Sequence, residues 1–144
     1  MKNQTKYIVA VITGLISVNV FAQTSNPTPA PVVAGCTSER FVTGGELNEI
    51  KTVNATYTPR CLKVKVGATV SIQATSRHPL MAMADINNVV NPFAASQSAI
   101  TTQTRKMTVP GIFGFYCEAH GDPDGSGMAG VIVVEETNTP DPAQ

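Results

Sequence analysis

Histidine and cysteine are scarce in this chain, two of one and three of the other among 144 residues, and tryptophan is missing altogether. Two histidines cannot furnish more than one imidazole-rich metal centre. Charge is thin as well, at 14% of residues, with ten basic groups balancing ten acidic ones. That leaves no basic footprint and excludes nucleic acid as a partner. Long hydrophobic runs are missing too. The mostly apolar stretch at residues 7–20 covers 14 positions without a charge, short of the roughly 20 that cross a bilayer, so no stable membrane anchor is expected. No internal repeat and no second domain are found, and the length suits one domain with a single core.

The first residues have another use. Lys2 and Lys6 precede the apolar stretch, and Val20-Phe21-Ala22 fits a small-residue cleavage site before Gln23. Residues 1–22 therefore read as a secretory signal peptide, with Sec-type export to a periplasm or the outside. No cysteine follows the cleavage point to take a lipid, and there is no twin arginine. Losing Lys2 and Lys6 leaves eight basic residues against ten acidic ones, about −2, a mild acidity that allows a positively charged partner. Residues 23–33 are polar and proline-rich and read as a flexible tether. Residues 137–144 form a disordered tail of the same kind. Between them, residues 34–136 make the folded domain, and a monomer is expected.

The pattern inside that domain is β. Leu62, Val64 and Val66 alternate with Lys63 and Lys65, putting apolar groups on one face of a strand. Val70, Ile72 and Ala74 repeat the alternation, with Gly67 as the turn between. Residues 131–134 are a continuous β-branched run, suited to a central strand buried on both sides. Further strands are expected at 41–43, 50–53, 80–83, 107–109 and 113–117, and one short helical turn within 91–98. About seven to eight short strands separated by Gly, Pro and Asn indicate an all-β, Greek-key β-sandwich.

The chemistry gathers near the C-terminus. Cys117 and His120 sit in Phe115-Tyr116-Cys117-Glu118-Ala119-His120, and Met128 follows in Gly127-Met128-Ala129-Gly130. Taken alone, Cys117 is as readily a core filler. Thiolate, imidazole and thioether together are soft and borderline ligands that suit copper far better than magnesium or calcium. The other histidine, His78, lies upstream in Arg77-His78-Pro79-Leu80 and must come from another strand. Two histidines, one cysteine and one methionine make a trigonal set with a weak axial ligand. Met81 and Met83 are reserve axial candidates, although Met-Ala-Met is equally the inner face of a strand.

Residues 109–135 resemble the copper loop of the plastocyanin/azurin family of blue (type 1) copper proteins. The resemblance rests on Pro110-Gly111, Phe113-Gly114-Phe115-Tyr116-Cys117, His120, Gly127-Met128-Ala129-Gly130 and Val131-Ile132-Val133-Val134. It implies a cupredoxin fold binding one copper ion per chain through His78, Cys117, His120 and Met128. The implied role is a soluble electron carrier, not an enzyme, passing single electrons between redox partners such as c-type cytochromes or copper reductases. With Cys117 in the metal loop, cysteine arithmetic leaves one disulfide, Cys36 to Cys61, a bridge placed as in azurin; the alternative is a reduced, buried pair. A rival function is a periplasmic copper carrier or storage protein without redox turnover, which Met81 and Met83 would favour. Cys117 and His120 could also mimic a thiol nucleophile and its base, but nothing supplies a substrate pocket or oxyanion chemistry.

Two departures from the family pattern stand out. Seven residues separate His120 from Met128 where relatives usually have four, and Pro79 follows His78 where many relatives have asparagine. Proline has no N–H to offer the thiolate. The longer loop, Gly121-Asp122-Pro123-Asp124-Gly125-Ser126-Gly127, also matches the first half of a calcium loop at Asp122, Asp124, Ser126 and Gly127. Its twelfth position is Val133, where a bidentate glutamate is required, so a polar turn is expected instead.

Overall fold

The computed structural model describes residues 33–137. The expected signal peptide lies outside the described residues, as do all of the tether but Val33 and all of the tail but Thr137. Nine strands follow one 3-10 turn, Ser38–Arg40: β1 (Val42–Thr43), β2 (Leu47–Val53), β3 (Thr56–Thr58), β4 (Cys61–Lys65), β5 (Thr69–Ile72), β6 (Leu80–Ala82), β7 (Gln103–Lys106), β8 (Gly111–Gly121) and β9 (Gly127–Glu135). They form a five-stranded sheet in the order β1-β4-β9-β8-β6 and a four-stranded sheet in the order β3-β2-β5-β7.

The alternation read from the sequence sets which side chains meet between the sheets. Leu62 and Val64 of β4, Phe113 and Phe115 of β8, and Ile132 and Val134 of β9 share one buried cluster with Ile50, Tyr57, Val70 and Ile72 of the other sheet. Lys63 and Lys65 point away and both reach Glu135, at 3.2 and 2.9 Å. Gly67, at φ +96°, makes the corner at which the chain leaves one sheet for the other. β9 lies between β4 and β8, as its unbroken β-branched run requires. Its inward residues face the sandwich core, while Val131 on the outer face is covered by Cys36 and Cys61.

That outer cover is a short N-terminal arm. Cys36 and Cys61 form a disulfide with Cα atoms 5.7 Å apart, tying residues 33–36 to the start of β4. Ala34 packs with Met83 and Ala129 on the outer face of the sheet. Asn91 anchors the long loop before β7 from within. Its Nδ2 donates to the Gly114 carbonyl at 2.8 Å, and its Oδ1 accepts from Phe93 N at 3.1 Å.

Several expectations are corrected. The strand expected at 107–109 is β7, four residues earlier in its start; its polar residues suit an edge position paired only with β5. No helix forms within 91–98. A single turn does, closed by Ala94 N donating to Asn91 O at 2.9 Å. β3 was not expected, because its hairpin with β2 turns through Asn54 and Ala55 at φ 47° and 55°, where glycine is the usual signal. Met83 is not on the inner face of β6: Leu80 pairs with Cys117 and Ala82 with Phe115 on the core side, so Met81 and Met83 have the opposite parity.

Replacing Cys36 and Cys61 together by serine should lower unfolding free energy by about 3.5 kcal/mol on the chain-entropy model for a loop of this length. Urea denaturation of the oxidised protein against the double variant measures it; a difference near zero would show that the arm adds nothing to the fold.

Candidate metal centre

The site begins with the pairing of β8 and β9. Tyr116 pairs with Ala129 and Gly121 with Gly127, so five steps along β8 are matched by two along β9. The ladder is irregular over this stretch, as at a bulge: the four residues 117–120, with Cys117 and His120 at the two ends, stand opposite Met128 alone. Cys117 continues the inward face of β8 and is fully buried, while the bulge turns His120 back over it. Gly121 and Gly127 permit the close pairing beyond. A Cβ on Gly121 would fall 2.4 Å from the Met128 carbonyl oxygen, and one on Gly127 2.4 Å from that of His120.

His78 arrives from the β5–β6 connection. Thr75 N donates to His78 O at 3.2 Å, and His78 N donates back to Thr75 O at 3.0 Å, closing a tight loop that presents the ring. Pro79 then serves through its carbonyl, which accepts from Glu118 N at 2.9 Å. The proline that cannot donate to a thiolate thus links the His78 segment to the Cys117 segment.

The three side chains converge. Cys117 Sγ lies 3.4 Å from His120 Nδ1 and 3.9 Å from His78 Nδ1. One ligand atom from each of the three residues lies within 4.8 Å of the others, and the two rings are 4.8 Å apart at their centroids. Cys117 is buried, His78 half-buried and His120 exposed. Met128 is buried and joins the same core cluster as Cys117. The longer interval between His120 and Met128 is absorbed in the hairpin turn. There Gly125 N donates to Asp122 O, Ser126 N to Asp124 Oδ1 and Ser126 Oγ to Asp122 Oδ2. These bonds make the calcium-like pattern a self-satisfied polar turn.

The donor set fits copper. A buried thiol beside two imidazole nitrogens on their Nδ1 sides, with the Met128 thioether in the same core cluster, is a set of soft and borderline donors that could hold such an ion. Met81 and Met83, one strand face away, cannot serve as reserves. Sequence reasoning missed Tyr57, whose ring meets Phe115 edge-on at 4.9 Å and whose buried hydroxyl has no partner among the described residues. Burial chiefly, then the charge of Cys117, pushes its phenol above the ordinary range.

No family model and no curated protein sequence matches the chain. Solved structures do. A copper-containing nitrite reductase from Thermus scotoductus SA-01 matches with TM-score 0.53 at 19% identity, covering 69% of this chain and 29% of the reductase chain. This chain therefore spans less than a third of that enzyme's length. Pseudoazurin from Methylobacterium extorquens AM1 matches at 0.49 with 18% identity, covering 61% of this chain and 74% of its own. A purple cupredoxin from Nitrosopumilus maritimus matches at 0.43 with 22% identity, covering 60% of this chain and 98% of its own. At these identities the likeness is one of architecture. The fold is that of the cupredoxins. No helix among the described residues is long and apolar enough to cross a membrane.

Two outcomes follow for the metal-free chain. Gly121→Ala should cost about 1–3 kcal/mol of stability, the usual penalty of forcing atoms into filled space, read by urea denaturation. His78 is held below the ordinary imidazole value by partial burial first, then by His120 and Arg77. Its NMR titration midpoint should therefore lie below that of an unperturbed histidine. As pH falls through the unfolded value the unfolded chain takes the proton first, so this group weakens folding on the acid side and is neutral above it. A midpoint at or above the unperturbed value would contradict the packing described.

Proposed function

We propose that this is an exported type 1 copper protein that carries single electrons between redox partners. The convergence of His78 and His120 Nδ1 on the buried Cys117 sulfur is the observation that carries the reading. His78, Cys117 and His120 would hold the metal, and Met128 would be its weaker fourth ligand. Copper bound there supplies one-electron chemistry between its two common oxidation states.

The chain's own residues explain why such a site suits electron transfer. Cys117 lies within β8, paired with Leu80 of β6 and one residue past the Tyr116–Ala129 pair with β9, so its sulfur has little freedom to move. His78 is fixed by its reciprocal bonds to Thr75. A ligand set held by packed strands resists rearrangement on a change of charge, keeping the reorganisation small. On its inner side Cys117 belongs to the buried core cluster that also holds Leu80, Phe115 and Met128, which keeps water from the sulfur. His120 alone of the three is exposed, which makes its outer ring edge the path by which an electron enters and leaves.

Both histidines of the chain are committed to this one site, which leaves none for a separate catalytic metal, so we read the protein as a carrier and not an enzyme. Export through the 1–22 leader would place it in a periplasm or outside the cell, with residues 34–136 as its working domain. Its partners would be redox proteins such as c-type cytochromes or copper reductases. The copper-storage reading leaned on Met81 and Met83, and it loses support because both stand on the face away from Cys117.

Loading the purified mature chain with Cu(II) should give an intense visible thiolate-to-copper band and one copper per chain, with a matching electron paramagnetic resonance spectrum. Cys117→Ser should abolish the band. Met128→Leu should keep it and raise the reduction potential, since losing a sulfur donor disfavours the more oxidised ion. A colourless chain that holds only Cu(I) would overturn the carrier reading in favour of storage.

A further inference from the structure

Beside the two histidines lies an open cleft of about 470 Å³, lined on its far side by Asn54, Gln73, Thr75 and Arg77. Three loops build it: the β2–β3 turn, the connection that carries His78, and the bulge that carries His120. Its chemistry is one-sided. Arg77 is the only formally charged residue in the lining, and no carboxylate lines the cleft. Among the described residues, the Arg77 guanidinium has neither an ion pair nor a hydrogen bond. Gln73 uses its Oε1 to accept from Thr52 N at 2.8 Å, which leaves its amide N–H groups unspent. Asn54 likewise has no side-chain partner among the described residues. The Thr75 hydroxyl accepts from His78 N at 3.1 Å and keeps its own proton to donate.

The acidic groups of this end lie elsewhere. Glu118 follows Cys117 on β8, and Asp122 and Asp124 are turned into the hairpin, bonded to Ser126. His120 therefore stands between an acidic hairpin and a donor-rich cleft with one free cation. A guanidinium and a set of unspent N–H and O–H donors match a carboxylate.

We propose that this cleft seats a carboxylate of the redox partner, beside the exposed ring edge of His120. The proposal rests on the electron-carrier reading and names the partner's contact chemistry: a protein acidic where it touches this chain. The whole-chain charge, slightly negative once the leader is removed, suggests the opposite. At contact distances the local cation outweighs it, because salt screens charges beyond about 8–10 Å.

Small redox probes test this. With the copper-loaded protein, Arg77→Gln should slow electron exchange with anionic hexacyanoferrate roughly two- to tenfold, the scale of one charge contact near water. Exchange with cationic tris(phenanthroline)cobalt should be unchanged or slightly faster, and Arg77→Lys should keep most of the wild-type preference. Equal slowing of both probes, or of neither, would overturn the proposal. A second measurement needs no copper. Titrating the redox-inert dicarboxylate glutarate into the full chain should shift the NMR signals of Arg77, Gln73 and Asn54, and Arg77→Gln should remove the effect. Shifts in a chain that binds no copper would leave the cleft standing while the carrier reading falls; no shifts would sink the cleft itself.

Discussion

Backbone pairing between β8 and β9 carries three more residues on one strand than on the other, and the metal end is shaped by where that surplus falls. If the ladder ran evenly from Tyr116 onward, His120 would continue along the strand and out of reach of Cys117. The bulge turns the chain back so that the imidazole lies 3.4 Å from the thiol sulfur. The pairing resumes at Gly121 and Gly127, which pins both ends of the bulge. A loop fixed at both ends loses the freedom that would let two ligands drift apart. The rest of the sandwich supports this geometry: β6 brings Leu80 alongside Cys117, and the Pro79 carbonyl locks the His78 loop to Glu118.

Much of this was legible from residue type and spacing. Alternation in 62–66 and 70–74, the β-branched run of β9 and the Cys-x2-His spacing each follow from strand periodicity or ligand chemistry, and the structure brings His78, Cys117 and His120 together. What could not be read had specific causes. β3 is announced by an Asn-Ala turn, and alanine gives no hint of a positive φ. β7 is an edge strand whose polar residues look like loop. The longer His120–Met128 interval reads as an insertion when counted along the chain. In space it is a hairpin tip, because two glycines let the strands close before it. Parity was the other hidden quantity: the sequence shows that Met81 and Met83 share a face, but which face depends on the pairing of Leu80 with Cys117.

The polar end of the molecule is more ordered than its composition suggests. Asp122 and Asp124 look like a calcium loop or a free acidic patch, yet their oxygens accept from Ser126 within the turn. Those bonds hold the Asp124 carboxyl below its ordinary range. The N-terminal arm is ordered for a related reason. Ala34 abuts Gly125 at the hairpin tip, and the Gly125 carbonyl accepts from Arg60 Nη2 at 3.2 Å. Arg60 directly precedes Cys61 of the disulfide. The covalent bridge, the arm and the hairpin tip are thus one connected support, on the side of the sheet away from the metal ligands.

Leu80 and Met81 are neighbours on a strand of three residues, one facing the thiol and the other facing out. A strand that short has few backbone bonds to hold its place, and it keeps its alignment by the carbonyl of Pro79 on one side and the Leu80–Ala99 bridge on the other. Sliding β6 by a single position would exchange an inert alkyl group for a thioether beside Cys117. The distinction between a site with one sulfur neighbour and a site with two is therefore kept by alignment rather than by composition. The register of a three-residue strand thus decides which side chain the thiol meets.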